Sequence, residues 1–197
     1  VVMFDPPDFT DPATCDNEFL LQSSLWACML GERRGSYEFD EYGRMVIPAA
    51  DVDAQAVSLF GQNIKLEHMT IGDMENAYQY DSDIASYHVP IIAMTGFATP
   101  SVEKIVMKQD SCQLTVGYVP PTTVLSINYD SKGNLEETPS KYMLYELRKN
   151  GKDFYLYSVT TIMNDSVSGT EFNTGTVGRV DTLTPSDSQG SGNTQAP

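Results

Sequence analysis

Basic residues, cysteines, histidines and long apolar runs are all scarce in this chain, and each scarcity argues against a class of function. Its 197 residues include 12 lysines and arginines against 27 aspartates and glutamates, which gives a formal net charge of −15. Proteins hold phosphate backbones through cationic side chains, so nucleic acid is not an expected partner. No apolar run approaches the ~20 residues needed to span a bilayer, so no transmembrane segment is predicted.

Motifs for metals, cofactors and catalysis are missing as well. Cys15, Cys28 and Cys112 form no CxxC or Cys/His pattern, so neither a metal nor a cofactor is predicted. Cys28 lies in a helical pattern and Cys112 in a strand pattern, and they are either two small buried side chains or a helix-to-sheet disulfide. The chain also has no phosphate-binding loop and no nucleophile elbow. A loop at residues 130–134 begins like a calcium site, but Lys132 occupies a ligand position, which favours a plain turn.

The distribution of apolar residues predicts one globular domain between two polar segments. Residues 1–15 are rich in aspartate and proline and are interpreted as a polar, solvated lead-in. Residues 16–165 carry the apolar periodicity of a single α+β domain. Residues 166–197 are mostly small and polar, so they bury too little apolar surface to fold and are predicted to form a flexible tail or linker.

Two helices and a short hairpin are predicted before the main sheet. The first helix starts after a cap at Thr14 or Asp16 and has a broad apolar face. The second begins at Pro48 and ends before Gly61, in keeping with the preference for proline at helix starts and glycine just after helix ends. Two short apolar segments, residues 77–80 and 85–89, then flank an Asp-Ser-Asp turn and predict a hairpin.

The main sheet is predicted between residues 102 and 162. Cys112, Leu114, Val116 and Tyr118 occupy every second position, as in a half-buried strand. Asn150-Gly151 predicts a type I′ turn that joins residues 142–148 to residues 154–162 as an antiparallel hairpin. The predicted fold class is therefore α+β, a curled antiparallel meander covered by the N-terminal helices.

Two groups of side chains are candidates for a functional site. Four tyrosines from successive predicted strands would line an aromatic ligand-binding cleft if they share an uncovered sheet face: Tyr118, Tyr129, Tyr145 and Tyr157. Alternatively they are core residues whose hydroxyls reach the rim. The only histidines, His68 and His88, are candidates for a catalytic base, but neither lies near a nucleophile pattern, and a structural role is the alternative. No catalytic residue is predicted.

The ends of the predicted elements carry a family resemblance. The second helix is bounded by Ile47-Pro48-Ala49 and Leu59-Phe60-Gly61, and the short hairpin contains Tyr80-Asp81 and Tyr87-His88-Val89-Pro90. With the strands that follow, residues 15–165 resemble the NTF2-like and cystatin-like α+β domains of extracytoplasmic proteins and lipoproteins in Gram-positive bacteria. The resemblance implies a secreted or surface-anchored module, and a lipid anchor in a longer precursor would fit it. It carries over no catalytic residue.

The sequence thus predicts a non-enzymatic binding or interaction module for an unknown protein or small-molecule ligand, placed outside the cell or anchored at its surface. Two alternatives stay open. A cavity enzyme of the NTF2-like type would pair one of the histidines with a carboxylate. A structural spacer domain of a surface protein would have no cavity and an ordinary surface.

Overall fold

A computed structural model of the chain describes residues 1–2, 6–73, 76–91, 98–121 and 139–162. Two α-helices lie in these ranges, α1 (Asn17–Leu30) and α2 (Ala49–Phe60), together with 3-10 turns at Pro12–Thr14 and Glu32–Ser36. The strands of the same ranges are β1 (Glu38–Phe39), β2 (Met45–Pro48), β3 (Gln79–Asp81), β4 (Ser86–Val89), β5 (Thr99–Met107), β6 (Ser111–Val119), β7 (Lys141–Asn150) and β8 (Asp153–Ile162). The predicted α+β class is confirmed.

The first helix begins at one of its two predicted caps, Asp16. The Asp16 side chain accepts a hydrogen bond from the backbone N–H of Glu18 at 3.1 Å, which satisfies one of the free donors at the helix start. Leu21, Leu25 and Cys28 follow at helical spacing and are buried. The helix is therefore fixed by a polar cap at its beginning and by an apolar face along its length.

The strands form two antiparallel sheets, and of the smaller one the sequence predicted only the β3–β4 hairpin. The smaller sheet has the order β1-β2-β4-β3, and the larger has the order β5-β6-β7-β8. Helix α2 packs against α1 and contacts both β2 and β8, so it lies between elements of both sheets. One apolar core runs through these elements, and its most deeply buried members include Leu21, Leu25, Ile47, Val52, Tyr87, Met143 and Val159.

The β7–β8 hairpin is confirmed, but its turn differs from the predicted type. The two strands pair from Tyr142 opposite Ile162 to Asn150 opposite Asp153, so Gly151 and Lys152 are the central residues of the turn. Of these two, only Gly151 has a positive φ, at +64°. A single positive φ at the first central position is the pattern of a type II′ turn, so the type I′ prediction is wrong. The turn lies one residue later in the chain than predicted, because Asn150 is paired with Asp153 in the ladder.

A register shift interrupts the alternation along β8. Glu146 pairs with Ser158 and Leu147 pairs with Leu156, which leaves Tyr157 as an extra residue on β8. As a result Leu156 and Val159 are both buried although they are three positions apart. Strict alternation from the sequence cannot place Tyr157 relative to the core.

The N-terminal segment is part of the fold rather than a solvated arm. Phe9 forms a bridge with Val159, in which each backbone N–H donates to the other residue's carbonyl at 2.9 Å. One carboxylate oxygen of Asp8 accepts from the backbone N–H and the hydroxyl of Thr161 at 2.9 and 2.7 Å. The Phe9 ring is buried, 6.0 Å from the ring of Phe19. A single aromatic anchor in an otherwise polar segment explains the difference from the sequence prediction.

Some predictions fall on residues outside the described ranges. They concern the strand that contains Tyr129, the turn at residues 130–134 and the tail at residues 166–197. The division of the chain into lead-in, domain and tail stays a prediction.

Candidate functional site

A groove of about 420 Å³ opens where the end of α2, the β7–β8 hairpin and the Pro12–Thr14 turn meet. This hairpin groove is lined by residues 11–13, 60–64 and 148–150, together with Tyr155 and Tyr157. Its volume falls within the ~300–1,000 Å³ of small-molecule sites. Three stretches that are distant in sequence therefore build one concave surface on the β8 side of the larger sheet.

Gly61 shapes one wall of the hairpin groove. Its backbone has φ +93° and ψ 171°, a conformation that is essentially restricted to glycine. A Cβ atom at this position would lie 3.0 Å from Cδ2 of Tyr155. The absent side chain thus lets the end of α2 turn sharply and lets the Tyr155 ring lie against the backbone.

Arg148 and Tyr157 also line the groove. The guanidinium carbon of Arg148 lies 3.1 Å from the centroid of the Tyr157 ring, which is a close cation–π stack. The Nε–H of Arg148 also donates to a carboxylate oxygen of Glu146 at 3.4 Å. These two contacts restrict the orientation of a side chain that is otherwise exposed.

Polar side chains with no partner in the fold surround these rings. Gln62, Asn63, Lys149 and Asn150 are exposed and line the groove. Among the described residues, none of these four side chains has a hydrogen-bond or ion-pair partner. Their amide and ammonium groups are therefore available to a ligand.

A second groove, of about 500 Å³, runs beside the N-terminal segment and is lined by residues 7–10, 14–16 and 159–160. Three polar side chains of its lining, Asp8, Thr14 and Asp16, are already hydrogen-bonded within the fold. Asp8 holds Thr161, and the Thr14 hydroxyl donates to the Asp11 carbonyl at 2.7 Å. This groove is better explained as the margin of the N-terminal segment than as a binding site.

The structure does not bring the described candidate tyrosines together in one cleft. Tyr118 and Tyr145 are 6% and 1% exposed, and their hydroxyls are hydrogen-bonded to each other. Tyr157 lies apart from them at the hairpin groove, and Tyr129 is outside the described residues. A ligand-binding role for these tyrosines stays a prediction, and Tyr157 is the one that the groove places at an accessible surface.

His88 belongs to a charged cluster on the smaller sheet. Its Nδ1 lies 2.7 Å from Oδ2 of Asp40, and the Arg44 Nε–H donates to the same oxygen at 2.7 Å. The backbone N–H groups of Tyr42 and Arg44 donate to the other oxygen, both at 2.9 Å. Burial opposes ionisation of this carboxyl, but these hydrogen bonds together hold the pKa of Asp40 well below its ordinary value. An ionised Asp40 requires Nδ1 of His88 to carry the proton.

His68 is held by a second set of contacts. Its Nδ1 lies 3.0 Å from the Tyr87 hydroxyl, and its Nε2 lies 3.3 Å from a carboxylate oxygen of Asp53. The imidazole also stacks on the Tyr80 ring, with the centroids 5.3 Å apart. Burial, assisted by the nearby Tyr80 and Asp53, raises the pKa of Tyr87 to about 12. A fully buried phenol with this pKa stays protonated at neutral pH, so Tyr87 is a poor nucleophile.

The cysteines are all free, so the disulfide alternative for Cys28 and Cys112 does not hold. Both are buried, and burial raises the pKa of the Cys28 thiol to about 11. Cys15 is half-buried, and burial together with the nearby Asp11 and Asp16 raises its pKa to about 11. Thiols with these pKa values stay protonated at neutral pH and are poor nucleophiles.

Within the described ranges, no group of three or more histidine, cysteine, aspartate and glutamate side chains could hold a metal ion. Neither described helix combines the length and the apolar character that crossing a membrane requires. No family model, no curated protein and no solved structure matches the chain. The fold and the groove geometry are therefore the basis for any functional proposal.

Sequence patterns do not predict that most of these residues meet in one groove. Gly61 and the Asn150-Gly151 pair were recognised as the end of a helix and the bend of a hairpin, which are structural signals. Nothing in the sequence shows that these two points meet in space, or that Arg148 would stack on Tyr157. A glycine-only conformation against an aromatic ring becomes visible only once the strands are paired.

Proposed function

We propose that the chain is a non-enzymatic binding module and that the hairpin groove is its ligand site. The observation that carries this proposal is the set of polar side chains without partners beside two tyrosines. Tyr155 is fixed against Gly61 and Tyr157 is stacked under Arg148, so the rings are placed before any ligand arrives. Binding to a pre-arranged surface loses less conformational entropy than binding that must order its own side chains.

We also propose an NTF2-like or cystatin-like architecture, with a curled larger sheet, and a location outside the cell or at its surface. The order of helices and strands supports the architecture, and the resemblance noted for residues 15–165 supports the location. A lipid anchor in a longer precursor belongs to the same proposal. Protease treatment of intact cells that express the full-length protein tests the location, since a surface module should be cleaved and an internal one protected.

A steric variant tests the groove. Ala13 is exposed on the Pro12–Thr14 turn and lines the groove, so Ala13→Trp should fill it without disturbing the core. Lys108→Trp is the matched control, because Lys108 is exposed just after β5 at the other edge of the larger sheet. A small-molecule library is screened for compounds that raise the Tm of the unmodified protein, and each hit is repeated with both variants.

The proposal expects hits whose Tm shift disappears in Ala13→Trp and persists in Lys108→Trp. A ligand adds stability according to its concentration relative to Kd, about 2.7 kcal/mol at 100 times Kd, so the loss should be clear. Hits that shift both variants equally would place the site elsewhere. A library with no hit at all would favour the structural spacer, which predicts no ligand.

One observation favours the alternative of a cavity enzyme. Each histidine lies close to an aspartate, His88 at 2.7 Å from Asp40 and His68 at 3.3 Å from Asp53. However, neither of the two grooves described above is lined by a histidine. The Asp40 carboxylate is also occupied by Arg44 and backbone N–H groups, which indicates a structural brace. Binding at the hairpin groove is therefore the function that the geometry supports best.

A further inference from the structure

The Arg148–Tyr157 stack presents a planar cation at the rim of the hairpin groove. The Nε–H donates to Glu146, while the stack against Tyr157 holds the guanidinium plane. Arginine offers five N–H donors in a rigid fork, and the fork matches the two oxygens of a carboxylate. A guanidinium that is already oriented has lost part of its rotamer freedom before a ligand binds.

The groove also brings together two of the few basic residues of an acidic protein. The chain has only 12 lysines and arginines against 27 acids, yet Arg148 and Lys149 are adjacent here. The one acidic residue of the lining is Asp11, and one of its carboxylate oxygens is bound to the backbone N–H of Ala13 at 2.9 Å. Lys149 has no carboxylate partner among the residues that the structure describes. The acids at the groove are Asp11 and Glu146, the partner of Arg148, and both already accept hydrogen bonds. The donors left for a ligand are the terminal N–H groups of Arg148, which favour an anionic group over a cationic one.

We propose that the hairpin groove binds a small acidic saccharide, whose carboxylate contacts the guanidinium of Arg148 and whose hydroxyls contact Gln62 and Asn63. This inference rests on the proposed function and names its ligand class. Primary amides carry donors and acceptors together, which matches the same double character of sugar hydroxyls.

An acidic peptide fits the groove less well. Peptide recognition normally adds pockets for side chains to the contacts made with the main chain. Phe60 is 2% exposed and Ile64 is half-buried, so apart from the two tyrosine rings the lining offers little open apolar surface. A ligand covered with hydroxyls requires no such surface.

Calorimetric titration with three probes tests the ligand class. The first is the trisaccharide of galacturonic acid, the second is its methyl ester, and the third is triglutamate. The ester keeps the rings and hydroxyls but removes the negative charges. The proposal expects the acidic trisaccharide to bind at least about tenfold more tightly than the ester, the effect of losing one charge-assisted hydrogen bond. It also expects binding of triglutamate to be weaker than that of the acidic trisaccharide.

Charge-neutral variants then assign the carboxylate contacts. Arg148→Gln should weaken binding of the acidic trisaccharide about tenfold or more. Lys149→Gln should weaken it less, because successive side chains of a strand point to opposite faces of the sheet. Lys104→Gln is the matched control, because it removes the same charge from exposed β5 and should leave the affinity unchanged. Far-ultraviolet circular dichroism and Tm of each variant separate loss of binding from loss of fold.

Every other outcome contradicts the proposal and identifies which part of it fails. Equal affinity for the acid and its ester would remove the carboxylate from the account while leaving a saccharide groove. Triglutamate that binds as tightly, with the same dependence on Arg148, would make the ligand an acidic peptide. If no probe binds while library hits still lose their Tm shift in Ala13→Trp, the ligand class fails and the groove stands. If those hits also ignore Ala13→Trp, the proposed function fails with it.

Discussion

The two edge strands of the larger sheet differ in what covers them. At the β8 edge, the N-terminal segment adds a bridge at Phe9, and α2 packs against the strand. At the β5 edge, no further strand is paired within the described ranges. Three apolar side chains of β5 are 54%, 60% and 62% exposed, namely Val102, Ile105 and Met107.

The exposed residues of β5 lie on the same sheet face as the core. Ile105 pairs with Leu114 and Met107 pairs with Cys112, and residues directly opposite in a ladder point to the same side. The inner face is thus apolar from β5 to β8, but burial stops before β5. The helices and the lead-in cover only the β8 side of this face, so their position, rather than the strand pattern, determines which part of the sheet is core and where a groove forms.

Removal of the Phe9 ring should have the largest effect, because this residue anchors the covered edge. We expect Phe9→Ala to lower the free energy of unfolding by about 3–5 kcal/mol, the usual cost of deleting a buried phenylalanine side chain. Phe39→Ala is the matched control, since Phe39 is 55% exposed on β1, and it should change stability by about 0.5 kcal/mol or less. Urea unfolding measures both. Similar losses in the two variants would show that the lead-in is not part of the core.

A side chain at Gly61 should strain the same edge to a smaller extent. Gly61→Ala requires a conformation that costs about 1–3 kcal/mol for residues other than glycine, and its Cβ would press on Tyr155. Gly35→Ala serves as the reference, because a Cβ there meets nothing within 4 Å. We expect a lower Tm for the first variant and a nearly unchanged Tm for the second. A neutral Gly61→Ala would contradict the sharp turn at the end of α2.

The smaller sheet should respond to acid through Asp40. Its pKa is depressed in the folded protein, so its stabilisation is complete above the unfolded pKa of about 3.9 and is lost as the pH falls towards the folded value. The stability difference between the unmodified protein and Asp40→Asn should therefore be large at pH 6 and shrink as the pH falls below about 4. Urea unfolding at a series of pH values measures this difference. A difference that stays constant would show that the carboxylate is not stabilised in its ionised form.

Truncation at the uncovered edge should have the smallest effect. Ile105→Ala removes a side chain that is 60% exposed, and we expect a change within about 0.5 kcal/mol. Ile47→Ala is the contrasting variant, because Ile47 is fully buried and its truncation should cost about 2–5 kcal/mol. A loss at Ile105 as large as that at Ile47 would mean that β5 is covered after all.

Local signals in the sequence were sufficient to predict the helices and the hairpins. The cap at Asp16, the glycine after α2 and the alternation in β6 depend on neighbouring residues, and the structure has both helices and both hairpins at the predicted places. The turn of the β7–β8 hairpin was misassigned by one residue, because the ladder continues through Asn150. Turn type depends on the register of both strands, which a dipeptide alone does not determine.

The site depended on contacts that sequence patterns do not encode. The groove joins residues 11–13, 60–64 and 148–157, and the His88–Asp40 hydrogen bond spans 48 positions. The four tyrosines were grouped because they alternate in successive strands, yet Tyr118 and Tyr145 are in the core while Tyr157 follows a register shift. Phe9 was overlooked because the prolines and aspartates around it dominate the composition of its segment.

The most direct test of the whole account is a map of ligand-induced amide chemical shifts. The protein is labelled with ¹⁵N and titrated with the compound that gives the largest Tm shift in the screen. We expect the amide signals of residues 61–64 and 148–157 to shift progressively and those of residues 99–107 to stay unchanged, because the groove lies at the covered β8 edge. Shifts confined to residues 99–107 would contradict it, since they would place the ligand on the exposed apolar face of β5.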